Sequence, residues 1–263
     1  MLARFAALAA ALPGHPSIQM ELFVVRSAKP LSLLLLVFAT LLAGPANAAS
    51  ASQLQSIRDN AVRAATQMMM YVALDKAKER RQLAQTAISN VDTAVAGLND
   101  PALATHWQST RAALTRDPYQ DGEINQLAIY GWENEVVSFA NDLDQRQPRD
   151  TDRTQKELFE LAGRMQLMMM IYLRNSADPL GGTNYTGVNS DKELDKLASA
   201  FTAQLNDVIR KNPALKAPLA KVTAKWTFLS QRIGDLQQRN VPFIADLYGR
   251  QIIDMLLATA NKG

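Results

Sequence analysis

The sequence predicts an all-α protein: an elongated antiparallel four-helix bundle built from two duplicated helical hairpins. Three observations predict it. After Ser52 the chain is rich in Ala, Leu, Gln, Lys and Arg, with helix breakers in few places. Its apolar residues recur at three- and four-residue spacing, the stripe of a core-facing helix. The stretch AVRAATQMMMY at 61–71 also returns as AGRMQLMMMIY at 162–172. Each copy carries Ala-x-Arg ahead of a methionine triplet, Met68 and Met69 in one and Met168 and Met169 in the other, and ends on Tyr71 or Tyr172.

Residues 1–48 read as a secretory signal peptide rather than as fold. Arg26 and Lys29 precede the apolar run Leu31 to Leu42, which ends in Gly44-Pro45-Ala46-Asn47-Ala48. A basic flank, a short apolar segment and a small-x-small site mark export, with cleavage expected near Ala48. The run is short of the roughly 20 apolar residues a membrane span needs. Met20 offers an alternative start. The expected location is therefore the periplasm or the extracellular space.

The first helix then carries Leu54, Ile57, Ala61, Ala64, Ala65, Met68 and Val72 on one stripe and is expected to reach Gly97, a plausible C-terminal cap. Asp100-Pro101 restarts the chain, Asp as N-cap and Pro at the first helical position. This second helix is interrupted at Asp117 to Gly122 and resumes to about Gln145. A polar link at 147–150 separates repeat 49–147 from repeat 148–263. The second half begins near Asp152, with Asp152-x-x-Gln155 as a capping box. Its stripe is Leu158, Leu161, Ala162, Met165, Met168, Met169 and Tyr172, followed by a Gly- and Asn-rich loop at 175–189. Ser190-x-x-Glu193 caps the continuation. Asn212-Pro213 repeats the Asp100-Pro101 device, and Pro242 is expected to kink the last helix. Further pairs fall in the same order: Pro101-Ala102-Leu103 with Pro213-Ala214-Leu215, Trp107 with Trp226, and Tyr130-Gly131 with Tyr248-Gly249. Four matches in one order suggest a duplicated unit. Hairpins that cannot bury their stripes alone would pair as a bundle.

Composition narrows the function. Without Arg4, Arg26, Lys29 and Glu21 the remaining chain has 25 basic and 24 acidic side chains, so no basic field argues for nucleic acid. No cysteine is present, so stability must come from packing. With His106 the one histidine after residue 48, nucleophile–base pairs are scarce and no Glu-x-x-His di-iron motif occurs. An enzyme is not expected, nor a cofactor. The methionines read first as gap-fillers of a helical core. A copper or haem site on their thioethers and His106 is the sharper alternative, but ligand type without spacing argues poorly for one. Asp117-x-Tyr119-x-Asp121-Gly122 imitates a calcium loop, yet Ala128 stands where its bidentate Glu belongs, so it reads as a helix–helix turn. The charged run Asp75 to Arg81 reads as a solvated helix face. Arg63 and Arg164 hold the same place in the two blocks, and two guanidinium forks meeting at an interface suit a small planar anion.

The stretch Leu161-Ala162-Gly163-Arg164-Met165-Gln166-Leu167-Met168 resembles the signature of the type IV pilus methyl-accepting chemotaxis transducer N-terminal domain. That family is related to the periplasmic sensor domains of nitrate/nitrite sensor kinases. The first block keeps Asn60, Ala61 and Arg63 but has Val62 in place of Gly and no Met after the Arg. The resemblance implies a helical bundle that grips nitrate or nitrite with arginines, Arg164 foremost and Arg63 as its partner. It also implies a sensory role. Receptor-type members of the family have a membrane span on each side, whereas no segment here after residue 48 approaches that length. The expectation is therefore an exported module that passes its signal to a membrane receptor or envelope protein. The competing expectation is a non-catalytic structural or protein-interaction bundle of the cell envelope.

Overall fold

A computed structural model describes residues 49–74, 76–177, 190–233 and 241–262. The signal-peptide reading of 1–48 and most of the loop expected at 175–189 lie outside these residues. The described chain is almost entirely helical. Its elements are α1 (Ala51–Ala73), α2 (Lys78–Ala96), α3 (Pro101–Leu114), β1 (Tyr119–Gln120), β2 (Glu123–Ile124), α4 (Gln126–Gln145), α5 (Arg153–Ala177), α6 (Ser190–Lys211), a 3-10 turn (Pro213–Leu215), α7 (Ala220–Ile233) and α8 (Pro242–Ala260).

Several boundaries follow from caps visible in the sequence. Ser50 and Gln53 form a reciprocal capping box at the start of α1. Asp100 accepts a hydrogen bond from the Leu103 amide at 2.9 Å, with Pro101 opening α3. Asp152 accepts from the Gln155 amide at 3.0 Å, as its spacing predicts.

Other boundaries differ from expectation. The helix expected to run unbroken to Gly97 stops at Ala73, and α2 folds back along α1. Gln67 lies opposite Arg80 and Asn60 opposite Asn90, the falling register of an antiparallel pair. Lys76 supplies the left-handed residue (φ 63°) that closes α1, its amide reaching the Tyr71 carbonyl at 2.9 Å. The interruption at 117–122 is a β-hairpin rather than a plain helix turn, pairing Tyr119 with Ile124 and Gln120 with Glu123. Asp121 (φ 52°) and Gly122 (φ 87°) supply the two left-handed turn residues such a hairpin needs. Asn175 to Ala177 belong to α5, not to a loop. Asn212-Pro213 starts only a 3-10 turn, and Pro242 opens α8 instead of kinking it, because at the first position its missing N–H costs no hydrogen bond.

Helices α1 and α5 form the centre of Ala46–Gly263, which is one compact unit. They lie side by side and run parallel, Asp59 facing Gln166 and Ser52 facing Gln155. Helix α1 packs against α2 and α4, and α5 against α6 and α8. The expected apolar stripe is therefore too narrow a description. Met68, Met69 and Met70 are all buried, as are Met165, Met168, Met169 and Met170, because neighbours enclose these helices on nearly every side. Tyr71 and Tyr172 close the same layers, and the Tyr172 hydroxyl accepts from the Val241 amide at 2.9 Å. Gly249 lets α8 approach closely: a Cβ there would stand 2.3 Å from the Met169 sulfur. One cluster of buried apolar side chains spans both halves of the chain. No helix among the described residues is long and apolar enough to cross a membrane.

Candidate functional site

A cavity of about 680 Å³ opens between α1, α4, α5, α6 and the link at 147–151. Helix α5 supplies one wall. Lys156, Phe159, Glu160, Gly163, Arg164, Leu167 and Met170 recur at three- and four-residue steps and so share a face. Helix α1 adds Gln55, Arg58 and Val62, and α4 adds Val137, Ala140, Asn141 and Asp144.

These contributions are sorted by level. Helices α1 and α5 run one way, while α4 and α6 run the other, with Glu133 facing Arg174 and Gln204 facing Arg164. One end of the cavity therefore gathers Gln55, Arg58, Asp144, Gln147, Arg149, Lys156 and Glu160. The opposite end gathers Val62, Val137, Leu167, Met170 and Leu197.

Arg58 is the central cation. Its Nη1 donates to Asp144 Oδ1 at 2.5 Å across to α4. The rest of the guanidinium lies on the backbone of α5, over Gly163, where a Cβ would come within 2.6 Å of Nη2 and 2.9 Å of Cζ. A glycine in a helix interior costs about 1 kcal/mol relative to alanine, and here it makes the seat for the arginine. Arg164, the next residue, leans the other way and donates through Nε to Gln204 Oε1 on α6 at 3.0 Å.

Five buried side-chain polar atoms among the described residues have no hydrogen-bond partner within the protein: Gln55 Nε2, Arg58 Nε, Gln147 Oε1, Gln166 Oε1 and Asn175 Nδ2. The first four belong to residues on this cavity. Unpartnered buried polar groups are rare in folded proteins, and each costs about 1–3 kcal/mol. Their gathering around one cavity, from α1, the link and α5, marks the place where the fold is left incomplete.

The two arginines expected to share an anion are not brought together. Arg164 lines this cavity. Arg63 lines a separate one of about 20 Å³, room for roughly one water. Arg63 is already paired, with Asp59 and with Asp254, each at 3.3 Å. Burial raises the Asp59 carboxyl above its ordinary range; Arg63 and the hydrogen bond from Gln166 oppose this, and Asp254 adds to it. His106 is held by Asp142 at 3.0 Å and lies edge-on to Phe139. Among the described residues no cluster of three His, Asp or Glu side chains is placed to hold a metal. Arg80, expected on a solvated face, is instead nearly buried against Asp246 at 2.9 Å. Sequence reasoning missed Arg58, Gln55 and Gln166. The signal that could have found them is Gly163, an interior helical glycine inside the Ala-Gly-Arg-Met stretch.

Replacing Gly163 with alanine tests the seat. The atoms nearest the new Cβ belong to the flexible end of Arg58, so the guanidinium moves aside. The gain in helix propensity, about 1 kcal/mol, offsets the weakened bond to Asp144. Urea unfolding is expected to place the variant within about 1 kcal/mol of wild type.

The fold and the cavity define an all-α protein with a cleft that is polar and cationic at one end and apolar at the other. Comparison with protein-family models, curated proteins and solved structures finds no match for the chain. The functional reading therefore rests on the cleft itself.

Proposed function

We propose that this chain is an exported, non-catalytic ligand-binding module of the sensory type, which takes an anion in the cavity at Arg58 and Arg164 and passes the event to a partner protein. The observation that carries this reading is that four of the residues lining the cavity each carry a buried polar atom without a partner. The charge of the wall supports an anion: Arg58, Arg149, Lys156 and Arg164 stand against Asp144 and Glu160. The resemblance of residues 161–168 to pilus transducer and nitrate-sensor domains supports a sensory role, with Arg58 taking the place first expected of Arg63. The basic flank and apolar run before Ala48 support export to the periplasm.

Duplication is part of the proposal, with a four-helix unit in place of the simple hairpin. In α1–α4 the first helix packs against the second and fourth and the third against the fourth; α5–α8 repeat these pairings. In each half the tryptophan of the third helix donates to the second, Trp107 to Asp92 at 2.7 Å and Trp226 to Thr202 at 2.9 Å.

A thermal-shift screen against nitrate, nitrite, acetate and longer carboxylates tests the function. A ligand at a hundredfold excess over its Kd adds about 2.7 kcal/mol to the unfolding free energy. At least one anion is expected to raise the unfolding temperature of wild type and to do less for Arg58→Gln. No shift with any of them overturns the reading. The second reading, a structural or protein-interaction bundle, has one observation in its favour. Leu127 (76% exposed) and Phe243 (53%) sit in the first turns of α4 and α8, at the same end of the molecule. Under that reading no anion shifts the transition.

A further inference from the structure

The geometry points to the chemical class of the occupant: an amphipathic organic acid, its carboxylate at Arg58, its apolar body extending toward Met170, and a hydroxyl or N–H near the head. This rests on the reading that the cavity is a ligand site.

Size argues against a bare inorganic oxoanion. The cavity, at about 680 Å³, falls within the range of about 300–1,000 Å³ that holds organic ligands burying most of their surface. A nitrate ion would leave most of it unfilled. Polarity argues for two unlike ends. From Gly163 to Met170 the wall rises by seven residues, about 10 Å, and Leu167, Val137 and Leu197 border that upper half. A wholly polar ligand would leave this surface without a partner. A wholly apolar one would leave the cationic end uncompensated.

The unpartnered atoms specify the head. Arg58 Nη1 is committed to Asp144, while Nε–H has no partner. That N–H and the amide Nε2 of Gln55 are donors on one helix face, three residues apart, suited to the two oxygens of a carboxylate. Gln166 is oriented by Asp59, a carboxylate that accepts its Nε2–H at 3.1 Å, so its Oε1 is left as an acceptor. Gln147, which also lines the cavity, carries a second unpartnered acceptor, its buried Oε1. Nitrate and a plain ionised fatty acid both lack a donor for these acceptors. A hydroxy acid or an N-acyl amino acid has one.

Calorimetric titration of the purified protein with acetate, butanoate, hexanoate, octanoate, 3-hydroxyoctanoate, octanol and nitrate tests this. Affinity is expected to rise about three- to fourfold per methylene until the apolar end is filled. The 3-hydroxy acid is expected to bind more tightly than octanoate, and octanol at least tenfold more weakly. Arg58→Gln should lose at least tenfold for octanoate while leaving octanol unchanged. The wild-type series decides by itself if that variant does not fold. Nitrate or acetate binding as tightly as octanoate overturns this inference and leaves the proposed function standing. Octanol matching octanoate overturns the carboxylate head. No binding by any anion overturns both the inference and the function beneath it.

Discussion

Substituting Asp246 with alanine is expected to lower the unfolding free energy by about 3–5 kcal/mol, the cost of leaving a buried charge without its partner. The Asp246 side chain is 1% exposed and accepts three hydrogen bonds: from Gln67 Nε2 at 3.1 Å, Arg80 Nη1 at 2.9 Å and Arg250 Nη2 at 2.8 Å. Arg80, itself 11% exposed, keeps only the hydrogen bond to Gln67 Oε1 and the face of the Phe243 ring when the carboxylate goes. This network ties α8 to both α1 and α2, so its loss affects the join between the two halves. The deficit also depends on pH. Burial raises the folded-state pKa of Asp246 against the pull of Arg250 and Arg80. A carboxyl whose folded pKa is raised contributes stability that is present below its unfolded pKa and is lost as pH rises through the folded one. Wild type holds that contribution on the acid side, and the alanine variant has none. Urea unfolding is therefore expected to show a wider gap between the two proteins at about pH 4 than at about pH 7.

A second substitution of comparable size is Arg174→Met. Arg174 Nη1 donates to Glu133 Oε2 at 2.7 Å, with the two side chains 8% and 11% exposed, and its Nε and Nη2 both reach Asn175 Oδ1. The guanidinium also lies 5.1 Å from the centre of the Tyr130 ring. Methionine fills much of the space but leaves Glu133 a buried, unpaired carboxylate, at a cost of about 3–5 kcal/mol. Adding Glu133→Leu removes that charge. The double variant is expected to recover most of the loss, since an apolar pair can replace a buried ion pair at little cost. Urea midpoints of the two single variants and the double one measure the coupling. Additive losses would mean that packing around α4 and α5, not the ion pair, sets the cost.

The fold class was legible because it depends on local pattern. Asp100-Pro101 and Asp152-x-x-Gln155 marked helix starts, and the periodic apolar residues marked core faces. The break between α1 and α2 was not legible, because it closes on Lys76 in a left-handed conformation where glycine is the usual residue. The β-hairpin is signalled by Asp121-Gly122, a strong turn pair, but between two helical stretches that pair reads equally as a helix–helix turn. The burial of all three adjacent methionines in each block escaped a stripe argument, because periodicity describes a helix with one buried face and not one enclosed by neighbours.

The site was less legible for a related reason. Arg63 and Arg164 stand at equal places in their blocks, but side by side on parallel helices they meet different neighbours. Arg164 meets the large cavity, and Arg63 meets Asp59 and Asp254. Arg58 lies one turn before the repeated block and gains its role only through Gly163 on the other helix. Such a relation between residues a hundred positions apart leaves no spacing to read in one sequence.

The central claim is that Arg58, through its unpartnered Nε–H, meets an anion inside the cleft. Side-chain nitrogen NMR during an octanoate titration tests it most directly, since each arginine Nε–H can be followed separately. The account predicts a saturable shift of the Arg58 resonance while that of Arg63 stays in place. Movement of Arg63 with Arg58 unchanged, or no movement of either, would contradict it.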